Sequence, residues 1–160
     1  MKNGLNEWHS FIKKCSKLDL SKNTIMDLSN EKLARYGEIK YNIKVNLDDI
    51  IGSDCKKGLW IDLLKEFNRA EIDHNKDIHK IASEEYENLN QDNYHIIGYK
   101  NKYYISDGHN RIVFLKFYIE LYNKSKFINI KRVYYPFIPK KSLFSLFFKI
   151  KSYINSLIIK

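Results

Sequence analysis

The period of the apolar residues changes several times along the chain, and each change marks a predicted element. Residues 5–36 set short apolar groups, Leu5, Trp8, Phe11 and Ile12, then Leu28, Leu33 and Tyr36, against polar turns such as Asp19 to Asn23. With Ser29 as an N-cap ahead of Glu31 to Tyr36, this stretch predicts two small helices packed on the main body. Tyr41, Ile43 and Val45 alternate with Asn42 and Lys44, the period of two that predicts a first strand. Asn46 then caps a short helical turn through Asp48, Asp49 and Ile50, and Gly52 and Ser53 end that unit. Leu59, Leu63, Phe67 and Ala70, with Trp60 and Leu64, predict an amphipathic helix, and Ile78, Ala82, Tyr86 and Leu89 carry a second stripe through residues 72–89.

The sharpest pattern follows. Tyr94 to Tyr99 and Lys102 to Ser106 are β-rich runs separated by the polar pair Lys100-Asn101, which predicts a hairpin. After Asp107-Gly108, the run Ile112 to Ile119 predicts a mostly buried helix, and Phe127, Ile128, Ile130 and Val133 predict another strand, in the order of a crossover unit. Pro136 and Pro139 mark an exit from the core, after which residues 142–159 predict a basic amphipathic helix. The fold class expected is α/β (α+β), a small mixed sheet with flanking helices. Its parts are a helical N-terminal extension over 1–39, a main domain over 40–135 and the C-terminal helix over 136–160.

Composition narrows this to one folded unit. The chain has 160 residues, 44% of them hydrophobic and 14% aromatic, with six Gly and two Pro, too apolar and too poor in breakers for a disordered chain or a collagen-like repeat. The net charge of +9 is uneven, with 15 Lys and Arg against 17 Asp and Glu in residues 1–95, and 13 against 2 in residues 96–160. The basic end suggests an anionic partner, whether nucleotide phosphate, nucleic acid or acidic lipid. Residues 62–95 are acidic, a face that is solvated or that opposes the basic part. Cys15 and Cys55 form no CxxC pair and read as free thiols of a reducing compartment, and Met1 to Ser10 lack the apolar core of a signal peptide. A cytoplasmic protein is expected, peripheral at the membrane if the C-terminal helix binds there.

The polar run Ser106-Asp107-Gly108-His109-Asn110-Arg111 lies between a strand and a helix. The glycine permits a tight turn, the first helical N–H groups lack intrahelical partners, and an arginine stands in the first turn, which together make an anion cradle. Asp107 suits proton transfer or a metal bound to phosphates, and His109 titrates near neutrality. The plainer reading has Asp107 capping the helix and Arg111 pairing with it.

The segment 94–134, with its core Tyr103-Tyr104-Ile105-Ser106-Asp107-Gly108-His109-Asn110-Arg111, resembles the N-terminal domain shared by ParB partition proteins, sulfiredoxin and ParB-like kinases and nucleases. In that superfamily a hairpin ending in a Gly-His/Glu-x-Arg signature precedes a helix, and the strand at 41–45 fits its opening strand. The resemblance implies that Gly108, His109, Asn110 and Arg111 line a nucleotide phosphate site and that Asp107 is the acid/base of the kinase branch. Sulfiredoxin carries a cysteine where this chain has His109, so its sulfinate chemistry is not implied, and the further phosphate motif and helix-turn-helix of the partition proteins have no counterpart after Arg111.

Three readings of the site follow. In phosphoryl transfer, Arg111 and the helix amides neutralise the phosphates of a nucleoside triphosphate, Mg²⁺ is held through Asp107, and Asp48 or Asp49 supplies a second carboxylate. A nuclease would use Asp107 and His109 with a metal, its basic half tracking a phosphate backbone. The third is a DNA- or protein-binding module without turnover. Asp73-His74-x-x-Asp77-x-His79 puts its two histidines five apart, off the shared face a zinc helix needs, and reads as a hydrated helix. The 142–159 helix has, in order of preference, its own domain or a second copy, a membrane surface, or DNA as its contact.

Overall fold

The computed structural model describes residues 3–29, 31, 33, 37–67, 77–89 and 94–137. The helix expected at 142–159, Asp73, His74 and Ala70 lie outside the described residues, as does most of the second N-terminal helix expected at 31–36. The elements are α1 (Asn3–Cys15), a 3-10 turn (Asp19–Lys22), β1 (Met26–Asp27), β2 (Gly37–Asn46), a second 3-10 turn (Leu47–Asp49), β3 (Ile50–Ser53), α2 (Trp60–Lys65), α3 (Ile78–Asn88), β4 (His95–Tyr99), β5 (Lys102–Asp107), α4 (His109–Leu121) and β6 (Phe127–Pro136). They make a mixed α/β fold around one six-stranded sheet of order β1-β3-β5-β4-β6-β2.

Pairing is parallel for β1 with β3, β3 with β5 and β4 with β6, and antiparallel for β4 with β5 and β2 with β6. The hairpin stands as expected, because Lys100 (φ 49°) and Asn101 (φ 60°) both adopt the left-handed conformation that a two-residue turn between twisted strands requires. The crossover expectation needs correcting. The strand after α4 runs parallel to β4 and antiparallel to β5, because β4 lies between β5 and β6. The strand expected at 41–45 runs from Gly37 to Asn46, beginning inside the stretch assigned to the N-terminal extension. It is an edge strand whose residues 37–42 are all exposed, so burial leaves no alternating pattern there to read.

Strands β2 and β3 run in the same direction, at nearly opposite sides of the sheet, yet only Leu47–Asp49 joins them. In a flat sheet they would stand four spacings of about 4.8 Å apart as well as end to end, so the sheet must coil to bring them together. Asn46 caps the corner as expected, its side-chain oxygen accepting the Asp48 amide at 3.0 Å. From beneath, buried Lys116 of α4 donates to the Leu47 and Ile50 carbonyls.

Residues 112–119 of α4 are all buried, the mark of a helix that is covered on every side. Phe114 sits in an aromatic cluster with Trp8 and Phe11 of α1, Phe67 beyond α2, and Tyr118; its ring stacks on Phe67 at 5.6 Å and 7°. The first helix therefore shares the main core with the sheet. A second, smaller cluster of Leu28, Tyr99 and Tyr104 packs with Leu33, Ile51 and Ile97. Asp77 caps α3 by accepting the Lys80 amide at 2.6 Å, and His79 Nδ1 meets the Tyr118 hydroxyl at 2.7 Å, so these two residues are engaged within the fold. No helix among the described residues is long and apolar enough to cross a membrane.

Candidate functional site

Neighbouring parallel strands deliver their carboxyl ends side by side, and here β3 leads into the loop 54–59 while β5 leads into α4. This is a common place for ligands in sheets with parallel strands. Ser53 stands opposite Ile105, and the pairing continues one step further as the Asp54 amide donates to the Ile105 carbonyl at 3.2 Å. Ser106 Oγ then donates to Asp54 Oδ2 at 2.5 Å. The other carboxylate oxygen, Asp54 Oδ1, is buried and has no hydrogen-bond partner among the described residues.

Ser53 folds the loop back on itself: its Oγ, in a fully buried residue, accepts the amides of Cys55 at 3.0 Å and Lys56 at 2.9 Å. His109, the first residue of α4, turns its ring toward the strand ends. Its Nε2 lies 2.8 Å from Ser53 Oγ, 3.0 Å from the Ile105 carbonyl oxygen and 3.6 Å from Cys55 Sγ. A carbonyl can only accept, so we assign the ring proton to Nε2, donated to Ile105. Ser53 Oγ, 2.8 Å from the same nitrogen, shares that ring proton with the carbonyl and turns its own proton toward Cys55 Sγ at 3.8 Å. Burial lowers the His109 pKa against the pull of Asp54 and the Ile105 hydrogen bond. Burial also raises that of the Cys55 thiol, with Asp54 adding to the effect and the Ser53 hydrogen bond opposing it.

Of the residues singled out in the sequence, Asp107, Gly108, His109, Asn110 and Arg111 stand together here. Gly108 (φ 79°) makes the left-handed turn into the helix, and the first intrahelical bond runs from the Ile112 amide to its carbonyl, so the amides of His109, Asn110 and Arg111 precede the helical ladder. Asp107 is exposed and accepts the Gly108 amide at 2.7 Å, but Gly108 itself is the N-cap of α4 and no side chain caps the first-turn amides, so the capping expectation for Asp107 is not met. Arg111, however, pairs with Glu85 at 3.8 Å, not with Asp107. The Glu85 carboxylate is buried and also accepts the Tyr94 hydroxyl at 2.6 Å, which holds the arginine's stem against α3.

Asp48 is not brought to this end. It precedes β3 and binds Lys126 at 2.9 Å, while Asp49 binds Lys102, the first residue of β5, at 2.6 Å. Both acids therefore lie at the opposite ends of the strands that carry Asp54 and Asp107. The second carboxylate beside His109 is Asp54, to which the sequence reading gave no role, as it gave none in a site to Ser53 and Cys55. The available signal was the tripeptide Ser53-Asp54-Cys55 closing an aliphatic pair, which has no meaning until β3 is known to pair with β5.

A groove of about 450 Å³ opens nearby, lined by Ile39, His95, Ile97, Ser106, Arg132 and Tyr134. Arg132 Nη2 donates to His95 Nε2 at 3.1 Å, and His95 stands opposite Asp107 in register. Ser106 belongs to both features, so the groove adjoins the Asp54 end of the site. No family model matches this chain, and neither a curated protein nor a solved structure does.

Proposed function

We propose that this chain is a phosphate-binding domain of the ParB/sulfiredoxin type, taking a nucleotide or phosphorylated small molecule at the start of α4, with phosphoryl transfer or phosphodiester cleavage as its chemistry. The observation that carries this reading is the left-handed Gly108 turn, which leaves the His109, Asn110 and Arg111 amides ahead of the helical ladder beside the Arg111 guanidinium. Amides in that position and the positive end of the helix dipole favour bound phosphate. Arg111 brings the fixed charge, and its salt bridge to Glu85 orients it.

Asp107 uses one oxygen on the Gly108 amide and keeps the other. A single carboxylate of this kind suits Mg²⁺, which takes one or two protein carboxylates together with substrate phosphates. When bound, that ion supplies charge neutralisation on the phosphoryl oxygens. His109 stands next to Asp107 at the start of α4, with burial holding its pKa below the usual imidazole range. A second reading is a binding module without turnover, in which Asp107 does no more than accept the Gly108 amide and stabilise the turn.

The test is a thermal-shift screen of nucleoside mono-, di- and triphosphates with and without Mg²⁺. A micromolar ligand at millimolar concentration adds about 4 kcal/mol to the native state, roughly 10 °C for a domain of this size. Asn110→Asp keeps the helix start favourable to folding but sets a negative charge where the phosphate would sit, so it should abolish the shift, as should Arg111→Ala. A wild-type protein that responds to no nucleotide and no phosphorylated sugar sinks the proposal. Equal ligand shift and no product formed by either wild type or Asp107→Asn selects the binding module.

A further inference from the structure

Beside the proposed phosphate cradle stands a second set of donors with a different chemistry. We propose that Asp54, Cys55 and His109 bind a divalent cation of the zinc class, through one carboxylate oxygen, the thiolate and the imidazole. The proposal is independent of phosphate binding.

The ligand atoms of these three residues all lie within 4.8 Å of one another, although His109 is 54 positions from Cys55 in sequence. Cys55 Sγ and His109 Nε2 are 3.6 Å apart. Two ligands of a tetrahedral ion, with bonds of about 2.3 Å to sulfur and about 2.05 Å to nitrogen, are separated by about 3.6 Å, so this pair is already spaced to share one.

The second observation is Asp54 Oδ1. A buried carboxylate oxygen without a partner is costly, and buried polar groups in native proteins are nearly always satisfied. Oδ2 is held by Ser106 and the backbone amide of Asp54 is held by Ile105, so the carboxylate is fixed in place; Oδ1 has no hydrogen bond of normal geometry among the described residues, and the neighbouring Cys55 thiol interacts with the carboxylate. A cation shared with Cys55 and His109 would match it.

The donor set selects the ion. Sulfur and imidazole nitrogen favour Zn²⁺ and its borderline neighbours, whereas Mg²⁺ and Ca²⁺ take oxygen. On binding, the Cys55 thiol proton leaves to solvent and the ring proton of His109 moves from Nε2 to Nδ1. One carboxylate and one thiolate then balance the two positive charges of the ion. Three protein ligands leave a fourth position open, and since Cys55 is exposed that position is reachable from solvent. This sets the site apart from closed structural zinc sites.

The experiment uses the full chain, stripped of metal and kept reduced, titrated with Co²⁺ alone. Binding should give one equivalent per chain, with a thiolate-to-cobalt charge-transfer band and the visible bands of tetrahedral cobalt, both erased by added Zn²⁺. Cys55→Ser should remove the charge-transfer band, Asp54→Asn and His109→Ala should weaken binding at least about tenfold, and Cys15→Ser should change nothing. A charge-transfer band that persists in Cys55→Ser, or none in the wild type with excess Co²⁺, overturns the proposal. Wild-type protein supplies a check that no folding defect can confound. Alkylation of Cys55 by iodoacetamide, located by peptide mass mapping, should slow at least about tenfold with Zn²⁺, while an unchanged rate would also overturn it. Nucleotide and Mg²⁺ are absent from every arm, so failure here is separate from failure of the phosphate reading.

Discussion

Lys116 offers the most direct test of how this fold is held. Its side chain is buried on α4, donates to the Leu47 and Ile50 carbonyls, and lies over the Trp60 ring at 5.1 Å. Burial pulls its pKa from 10.5 down to about 8, despite the supporting charges of Asp48, Glu120 and Asp49. That difference corresponds to about 3 kcal/mol. Between about pH 8 and pH 10.5 the unfolded chain holds a proton on this lysine that the folded chain has released, so stability from this group rises with pH across that window. Lys116→Met removes the titration while keeping the side chain's volume. The carbonyls it leaves unmatched cost the same at every pH. Urea unfolding of both proteins, stepped from about pH 7 to pH 10.5, should show wild type gaining about 3 kcal/mol on the variant, while all other lysines and tyrosines titrate alike in both. A difference that stays flat with pH would mean that Lys116 keeps its proton throughout, and the reasoning from burial would fail.

Other perturbations reach other parts of the fold. Gly108→Ala should destabilise the protein by at least about 2 kcal/mol in urea melts, because alanine resists the left-handed conformation and its Cβ would stand 2.6 Å from Tyr94 Cδ1. Trp8→Ala should cost about 3–5 kcal/mol, read as a lower urea midpoint, since Trp8 packs against Phe11, Phe67 and Phe114. An unchanged midpoint would show α1 to be dispensable. Tyr94→Phe takes a buried hydroxyl from Glu85 and should cost about 1.5–3 kcal/mol, with the loss reduced in a Glu85→Gln background where the acceptor carries no charge.

What could be read from sequence divides along physical lines. Helix α4 was legible because residues 112–119 are apolar apart from Lys116, and the hairpin because two β-rich runs flank a polar pair. Both signals are local. Strand β3 was not legible: two isoleucines followed by Gly-Ser are too short for any period, and only pairing with β5, some fifty residues later, makes them a strand. The site inherits that split. Its half on α4, from Gly108 to Arg111, could be named from the turn chemistry. Its half after β3, Asp54 and Cys55, looked like a loop acid and a lone thiol. Asp48 was chosen for standing next to the first strand, but the three-residue corner puts it at the start of β3, while the site lies at the end.

The charge split along the sequence becomes something else once the chain is folded. Cations of the basic stretch face acids of the earlier one: Lys100 with Glu31, Lys102 with Asp49, Arg111 with Glu85, and Lys126 with Asp48. The three exposed pairs, all but Arg111 with buried Glu85, contribute only about 0–1 kcal/mol each, so they do not account for the stability. Their effect is on the field. Each pair leaves little net charge beyond a Debye length of about 8 Å at physiological salt. For these four pairs the asymmetry is therefore sequential more than spatial. Attraction for an anion at the start of α4 then rests on local geometry, the amides after Gly108 that precede the helical ladder, since the half-buried Arg111 already faces the buried Glu85 carboxylate.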